Sequence, residues 1–298
     1  MAGDQKIPRD RDETGEPHGL AFHLIAIIAA AVVILIIAGG IFLGDAGKNP
    51  PQVPAETSGE RDILYQVSTY DALMLGAYTG VLPVSEIKKH GDTGTGTFEG
   101  LDGEMIAIDG QYYHVTSDGD VHEAVSSEMV PFGSVTFFDN DTTMFVSGGR
   151  NLTSFTGEIS KGLPSKNLIY AIRVDATLPE VVVRAIPRQE KPYPLFTEAA
   201  THQSVFRLKN TSGTIVGFYL PKFIKGVNLP GYHLHYISAD RKSAGHILDL
   251  TSPDSTVQVV IDQTADFSMS TPTTPDFTEI NFTDDISGDI HGVVQKFE

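Results

Sequence analysis

Beyond about residue 62, the sequence consists of short apolar segments separated by Gly, Asp, Asn and Pro, with a turn signal about every eight to twelve residues. This spacing is typical of a protein built mostly from β-strands. Residues 64–80 are the exception, because Tyr70, Leu73, Met74 and Ala77 recur at helical spacing and predict one amphipathic helix. The segments predicted as strands are residues 105–108, 111–116, 134–138, 168–174, 181–185, 204–208, 214–219, 231–237, 245–250 and 257–261.

These elements predict an α+β fold that is predominantly β, with two β-rich domains preceded by one transmembrane helix. The amino-terminal β-rich domain is expected over residues 62–172 and the carboxyl-terminal domain over residues 173–298. Residues 285–297 are expected to form a terminal helix.

A membrane anchor is predicted near the amino terminus. Residues 24–43 are 20 uncharged and mostly aliphatic residues, which as a helix span the roughly 30 Å of a bilayer core. Residues 1–23 form a predicted disordered cytoplasmic tail, and residues 44–61 a Pro- and Gly-rich linker. Basic residues favour the amino-terminal side, which places the catalytic part outside the cytoplasm. A cleaved signal peptide and a buried core helix are the alternatives.

Composition excludes several classes of site. The formal net charge is −17, from 38 acidic and 21 basic residues, and no Lys/Arg cluster suited to nucleic-acid phosphates is present. The chain has no cysteine, so disulfides, thiolate metal sites and cysteine nucleophiles are excluded.

Three histidines are predicted to converge on a β-hairpin. His233 and His235 lie two apart within Gly231-Tyr232-His233-Leu234-His235-Tyr236-Ile237, so on a strand both imidazoles leave the same face. A turn centred between Asp240 and Arg241 sets His235 directly opposite His246. Directly opposed side chains have Cβ atoms about 4.5–5.5 Å apart, so the three rings meet at one point.

Three imidazoles without cysteine favour Zn²⁺, and Fe²⁺, Mn²⁺, Co²⁺ or Ni²⁺ less strongly. Three protein ligands leave coordination positions open, as catalytic metal sites do. The alternative is that His233 and His235 are ordinary half-buried histidines and that His246 is an unrelated turn residue.

Several segments, taken together and in order from about residue 62 to 250, resemble the α-acetolactate decarboxylase family. The resemblance is carried by Leu64-Tyr65-Gln66-Val67-Ser68, His90-Gly91-Asp92, Gly96-Thr97-Phe98, Leu101-Asp102-Gly103-Glu104, Asn167-Leu168-Ile169-Tyr170-Ala171, Val183-Arg184-Ala185-Ile186-Pro187, Gly213-Thr214-Ile215-Val216-Gly217-Phe218, Pro230-Gly231-Tyr232-His233-Leu234-His235 and Gly245-His246.

The resemblance implies an enzyme that converts (S)-2-acetolactate, a 2-hydroxy-3-keto acid, to (R)-acetoin and CO₂. It implies Zn²⁺ as the cofactor, held by His233, His235 and His246. It also implies Glu104 and Arg184 as flanking catalytic residues, Thr97 near the substrate pocket, and Glu298 as the match to the glutamate that ends the family's active site. A homodimer is expected by the same analogy.

Two other classes of function stay open on the residues alone. A three-histidine zinc site on strands can bind hydroxide and catalyse hydration or hydrolysis, which requires a general base placed for water and no keto acid. A binding module can use the metal only to close its hairpin, which requires a fourth protein ligand.

Overall fold

The chain alternates between strands and short helices in the part that the computed structural model describes, residues 61–282. The strands are β1 (Ile63–Val67), β2 (Leu82–Pro83), β3 (Thr93–Phe98), β4 (Asp102–Ile108), β5 (Gln111–Val115), β6 (Val121–Glu123), β7 (Met129–Val130), β8 (Phe132–Thr136), β9 (Thr142–Val146), β10 (Ile169–Ala185), β11 (Ser204–Leu220), β12 (Gly231–Ser238), β13 (Ala244–Thr251), β14 (Val257–Thr264) and β15 (Asp266–Ser270). The helices are α1 (Tyr70–Met74), α2 (Val84–Ile87), α3 (Leu152–Gly162), α4 (Phe196–Ala199) and α5 (Pro275–Thr278), with 3₁₀ turns at Ala200–His202 and Lys222–Ile224. The predominantly β character that the sequence predicted is confirmed.

Two large sheets organise the described residues. The seven-stranded sheet has the order β15-β1-β8-β3-β4-β5-β6, and the six-stranded sheet has the order β11-β12-β13-β10-β14-β9. Strand β10 also pairs with β11 along most of its length, so β10, β11, β12 and β13 form a closed ring. A two-stranded ribbon, β2 with β7, lies beside them.

The division between the two sheets differs from the predicted domain boundary. The predicted boundary between residues 172 and 173 falls inside β10, and β15 returns to pair with β1 of the first sheet. All described residues belong to a single compact unit, Glu56–Glu298. The sheet to which a strand belongs therefore depends on pairing between distant segments, and no single boundary along the chain separates the two sheets.

The helix predicted over residues 64–80 is wrong in its first part. Residues 63–67 form β1, which lies between β15 and β8. Leu64, Tyr65, Gln66 and Val67 are all buried, and a strand covered on both faces loses the alternation by which a sequence reveals it. The helix is confined to α1, where the Thr69 side chain caps the amide of Ala72.

Two pairs of predicted strands are longer than expected. The strands predicted over residues 168–174 and 181–185 fall on the 17-residue β10, which begins at Ile169, and those predicted over residues 204–208 and 214–219 are parts of the 17-residue β11. Strands β10 and β11 pair with each other, and this pairing continues both strands through the polar residues that separate the apolar segments. Strands β3 and β9 were not predicted. In β3, the sequence Thr-Gly-Thr-Gly-Thr-Phe has few aliphatic residues that would indicate a strand.

The two sheets pack against each other through apolar side chains. Ile106 and Ile108 of β4 form one buried cluster with Val216 of β11 and Ile237 and Ala244 of the β12–β13 hairpin. Residues spaced by two on a strand share a face, so Glu104 of β4 lies on the same face as Ile106 and Ile108. This packing directs Glu104 toward the histidine hairpin.

Some sequence predictions lie outside the described residues. These are the tail at residues 1–23, the transmembrane segment at 24–43, most of the linker at 44–61, and the terminal helix at 285–297, and they stay predictions. Within residues 61–282, no helix is both long and apolar enough to cross a membrane.

Candidate metal centre and pocket

The β12–β13 hairpin sets the three histidines as predicted. His235 is the direct register partner of His246, and the turn lies between Asp240 and Arg241. The loop is held by the Ser238 hydroxyl, which accepts hydrogen bonds from the amides of Lys242 and Ser243. The short loop therefore fixes which residues face each other across the hairpin.

The three imidazoles converge on one point. The ring centroids are 5.0, 5.1 and 5.2 Å apart. Nε2 of His235 lies 3.2 Å from Nε2 of His233 and 3.3 Å from Nδ1 of His246. One ring nitrogen of each histidine lies within 4.8 Å of those of the other two. The three side chains together therefore offer a set of three nitrogen ligands.

These residues fit a zinc ion. Zinc–nitrogen distances of about 2.0–2.1 Å in tetrahedral geometry place ligand nitrogens about 3.3–3.4 Å apart, close to the separations observed here. Burial, followed by the charge of Arg184, lowers the pKa of His233 to about 4, and burial also lowers the pKa values of His235 and His246. The rings are therefore neutral at pH 7 and have lone pairs free for a metal. In the metal-free protein, these separations also allow the N–H of one ring to donate a hydrogen bond to a nitrogen of the neighbouring ring.

Glu104 and Arg184 lie beside the histidines. Glu104 Oε2 is 3.7 Å from His235 Nε2, and Glu104 Oε1 is 3.7 Å from Arg184 Nη1. Arg184 is the register partner of His246, and its guanidinium lies 5.7 Å from the centre of the Phe196 ring. Within residues 61–282, its buried Nη1 donates no hydrogen bond. A buried cationic side chain therefore lies beside the three histidines and lines the same cavity as His233 and His246.

The electrostatics of this site follow from burial. Burial raises the pKa of Glu104 to about 7, while the adjacent Arg184 acts in the opposite direction. Burial also raises the pKa of Tyr70 to about 12, again with Arg184 opposing it. Tyr70 is therefore neutral near pH 7.

A cavity of about 150 Å³ opens in front of these groups. Its polar lining is formed by Tyr70, Thr97, Glu104, Arg184, Gln203, Tyr232, His233 and His246. Its apolar lining includes Leu73, Leu101, Phe132, Ile186, Phe196 and Leu229. The cavity is small and mostly apolar, with a few convergent polar groups, as small-molecule sites are.

Five of the residues predicted for the site line this cavity, namely Thr97, Glu104, Arg184, His233 and His246, whereas His235 does not. Thr97 lines the cavity, and its hydroxyl donates a 2.7 Å hydrogen bond to the carbonyl of Gly103. His235 is fully buried behind His233 and His246. Glu298 lies outside the described residues, so its assignment stays a prediction. The homodimer also stays a prediction.

Sequence reasoning missed most of the cavity wall. Tyr70 was interpreted only as part of a helix face, and Gln203 and Phe196 were not singled out. No local pattern marks these residues, because they reach the cavity from separate elements. His114, which does not line the cavity, has protein partners for both ring nitrogens, Glu128 Oε1 and the Asp102 carbonyl.

Comparisons with known proteins agree on one family. The sequence profile of the family described as Alpha-acetolactate decarboxylase matches residues 64–284. An alpha-acetolactate decarboxylase of Methanosarcina mazei is 44% identical over 241 residues, covering 81% of this chain and 83% of the relative. One from Bacillus subtilis is 42% identical over 238 residues, covering 78% of this chain and 92% of the relative. The crystal structure of alpha-acetolactate decarboxylase from Bacillus subtilis strain 168 matches with a TM-score of 0.74 at 39% identity, covering 78% of this chain and 98% of that chain.

Proposed function

Because this chain belongs to the α-acetolactate decarboxylase family, we propose that it removes CO₂ from 2-acetolactate at a Zn²⁺ ion held by His233, His235 and His246. The family establishes the enzyme class, an acetolactate decarboxylase. The observation that supports the zinc-dependent mechanism is that three neutral imidazoles converge beside Glu104 and Arg184, and that His233, His246, Glu104 and Arg184 line one small cavity.

The chemistry requires positive charge near the substrate ketone. Loss of CO₂ breaks the bond between the carboxylate carbon and the adjacent carbinol carbon, and the electron pair moves toward the ketone oxygen. Groups that stabilise this developing negative charge lower the barrier. Zn²⁺, when bound, supplies Lewis-acid stabilisation of that oxygen.

Arg184 is proposed to bind the substrate carboxylate. Its side chain is only 13% exposed, lines the cavity and has a buried donor nitrogen. A guanidinium forms short charged hydrogen bonds with a carboxylate, often in pairs, and so fixes its orientation. Arg184 thereby selects the bond that breaks and holds the CO₂ group until it leaves.

Glu104 is proposed to deliver the proton that converts the enediolate to acetoin. Its carboxyl group lines the cavity between Arg184 and His235, within reach of a substrate held there. The carbinol carbon is the carbon that lost CO₂. A proton added to it regenerates the ketone and completes the reaction. Glu298 is the second carboxyl group that we propose for this step, on the basis of sequence alone.

The rest of the lining is proposed to exclude water. Phe132, Phe196 and Leu229 surround the charged groups with apolar surface. In such surroundings, the interaction between Arg184 and the substrate carboxylate is stronger than in water. Thr97 is proposed to shape the pocket next to Glu104, since its hydroxyl is already bonded to the Gly103 carbonyl.

Acetoin formation and zinc content measured on the same sample test this proposal. The purified full-length chain should convert 2-acetolactate to acetoin at about one zinc per chain, lose activity on chelation and regain it with zinc. Full turnover without any metal would contradict the zinc mechanism. A zinc-loaded chain that hydrates or hydrolyses other substrates but leaves acetolactate unchanged would favour a hydratase or hydrolase.

The stereochemical course is a separate part of the proposal. We expect (R)-acetoin from (S)-2-acetolactate, as the resemblance to the family implies, and a single enantiomer because His233, His246, Arg184 and Glu104 surround the substrate in fixed positions. Chiral chromatography of the product from the (S) enantiomer tests this expectation, and racemic acetoin formed at the enzymatic rate would contradict it.

A further inference from the structure

Four aspartates from distant parts of the chain meet where the two sheets join. Asp62 precedes β1 of the first sheet, and Asp139 and Asp141 lie between β8 and β9. Asp262 lies in β14 of the second sheet. One carboxylate oxygen of each lies within 4.8 Å of those of the other three. This cluster shares no residue with the histidine site.

Asp262 is the buried member of this cluster. Its residue is 0% exposed, and within residues 61–282 neither of its carboxylate oxygens has a hydrogen bond of normal geometry. Its register partner on β10 is Ala171, which is buried in an apolar cluster with Leu64 and Phe138. An ionised carboxylate in such surroundings is strongly unfavourable unless a cation compensates it.

The neighbours of Asp262 add negative charge. Burial, followed by the charge of Asp139, raises the pKa of Asp262 to about 8, and Asp141 and Asp62 act in the same direction. The backbone N–H of Asp139 faces the carboxylate and partly opposes this shift. Asp139 itself has a raised pKa and a buried Oδ1 that accepts no hydrogen bond from the described residues.

Neighbouring charged and polar groups offset only part of the negative charge of this cluster. The Arg61 guanidinium lowers the pKa of Asp139 and so offsets some of the negative charge, whereas Asp92 raises the pKa of Asp139. Asp141 Oδ2 accepts a 2.8 Å hydrogen bond from the amide of Gln263. Among residues 61–282, one arginine facing four clustered aspartates leaves an excess of negative charge, with one carboxylate oxygen of each aspartate within 4.8 Å of the others.

We propose that Asp62, Asp139, Asp141 and Asp262 form a second cation site that takes Ca²⁺ and joins the two sheets. Carboxylate oxygens suit hard cations, and Zn²⁺ prefers the nitrogen ligands of the histidine site. Mg²⁺ keeps several waters and is usually held by one or two carboxylates, whereas Ca²⁺ accepts six to eight oxygens in flexible geometry. The site is structural, since its ligands come from the first sheet, the second sheet and the segment between them.

The test measures Ca²⁺ binding and thermal stability of the zinc-loaded full-length chain, previously freed of other metals. Calorimetric titration should give one Ca²⁺ per chain. At a free Ca²⁺ concentration about 100 times Kd, the melting temperature should rise by about 5–10 °C. Asp262→Asn should abolish both effects. Asp254→Asn, which removes the same charge at an exposed position outside the cluster, should leave both unchanged.

Three outcomes would overturn the proposal. The first is an absence of Ca²⁺ binding and of a melting shift in the unsubstituted chain up to about 5 mM, which is about five times the weakest dissociation constant, roughly 1 mM, of protein calcium sites. The others are equal binding by Asp262→Asn and tighter binding of Mg²⁺ than of Ca²⁺. The first outcome would indicate that a protonated Asp262 neutralises the cluster. Because the readouts are binding and melting, they are independent of acetolactate turnover.

Discussion

Glu104 Oε2 lies 3.7 Å from Nε2 of His235, although β4 and β12 belong to different sheets. The contact depends on the apolar cluster in which Ile106 of β4 packs against Ile237 of β12. Core packing between the sheets thus brings together the groups proposed for catalysis. The predictions below test each part of this arrangement.

His246→Ala should lose zinc and activity together. Removing a group that is hydrogen-bonded to a metal ligand typically lowers metal affinity about 10–100-fold. Removing one of the three ligand nitrogens should lower metal affinity further. Zinc per chain and acetoin formation measure the effect. The control is His202→Ala, since His202 is exposed and belongs to no cluster of metal-ligating side chains among residues 61–282. Retained zinc at one per chain in His246→Ala would rule out its role as a ligand.

Glu104→Gln should keep zinc but lower kcat by about 10²–10⁴, the usual contribution of a positioned proton donor. The amide keeps the shape of the side chain and removes the carboxyl proton. Steady-state kinetics with zinc analysis measure the effect, and exposed Glu123→Gln is the control. Normal kcat in Glu104→Gln would transfer proton delivery to another group, with Glu298 as the first candidate.

Arg184→Gln should lower kcat/KM by about 10- to 150-fold, which corresponds to the loss of charged hydrogen bonds worth about 1.5–3 kcal/mol. Arg184→Lys should be intermediate, because a lysine keeps the charge but not the planar fork. Kinetics over a range of acetolactate concentrations measure both. Arg207→Gln, which removes an exposed arginine paired with Glu180, is the control. Equal kinetics of the Gln and Lys variants would argue against carboxylate recognition by a guanidinium.

Gly103→Ala should destabilise the chain more than Gly110→Ala. Both glycines have positive φ, +65° and +76°, so a side chain costs roughly 1–2 kcal/mol at either position. Only at Gly103 would the added Cβ lie 1.9 Å from a backbone oxygen, that of Val115, whereas nothing lies within 4 Å at Gly110. Urea unfolding compares the two variants. Equal free energies of unfolding would contradict the close approach of β4 and β5.

Without added cations, the contribution of Asp262 to stability should fall as pH rises from about 4 to about 8. The pKa of Asp262 is about 8 in the folded chain, against an ordinary value of 3.8. The folded state therefore holds a proton that the unfolded state has lost, so this group favours unfolding as pH rises. His233, His235 and His246, whose pKa values are lowered by burial, act in the opposite direction, so the contribution of Asp262 is measured as a difference between variants. Urea unfolding in chelator at pH 5 and pH 8 gives the free energies of unfolding. Relative to the unsubstituted chain, Asp262→Asn should gain stability between pH 5 and pH 8, whereas Asp254→Asn should not. An equal change in the unsubstituted chain and in Asp262→Asn would refute the assignment.

The sequence by itself determined the local part of the site. Side chains alternate with a period of two along a strand, and a short polar loop fixes the register, so His233, His235 and His246 were predictable from spacing. Composition likewise excluded cysteine chemistry and a nucleic-acid surface. The resemblance to the family, rather than any local pattern, selected Glu104 and Arg184.

Tertiary structure decided what lies around the hairpin. It extended β10 and β11 through polar residues, placed residues 64–67, which were predicted as helix, in a strand between β15 and β8, and brought Tyr70 and Phe196 to the cavity. It also gathered the four aspartates around Asp262. A hairpin register depends on a few neighbouring residues, whereas sheet packing depends on the fit of side chains that are far apart in the chain, and no local pattern encodes that fit.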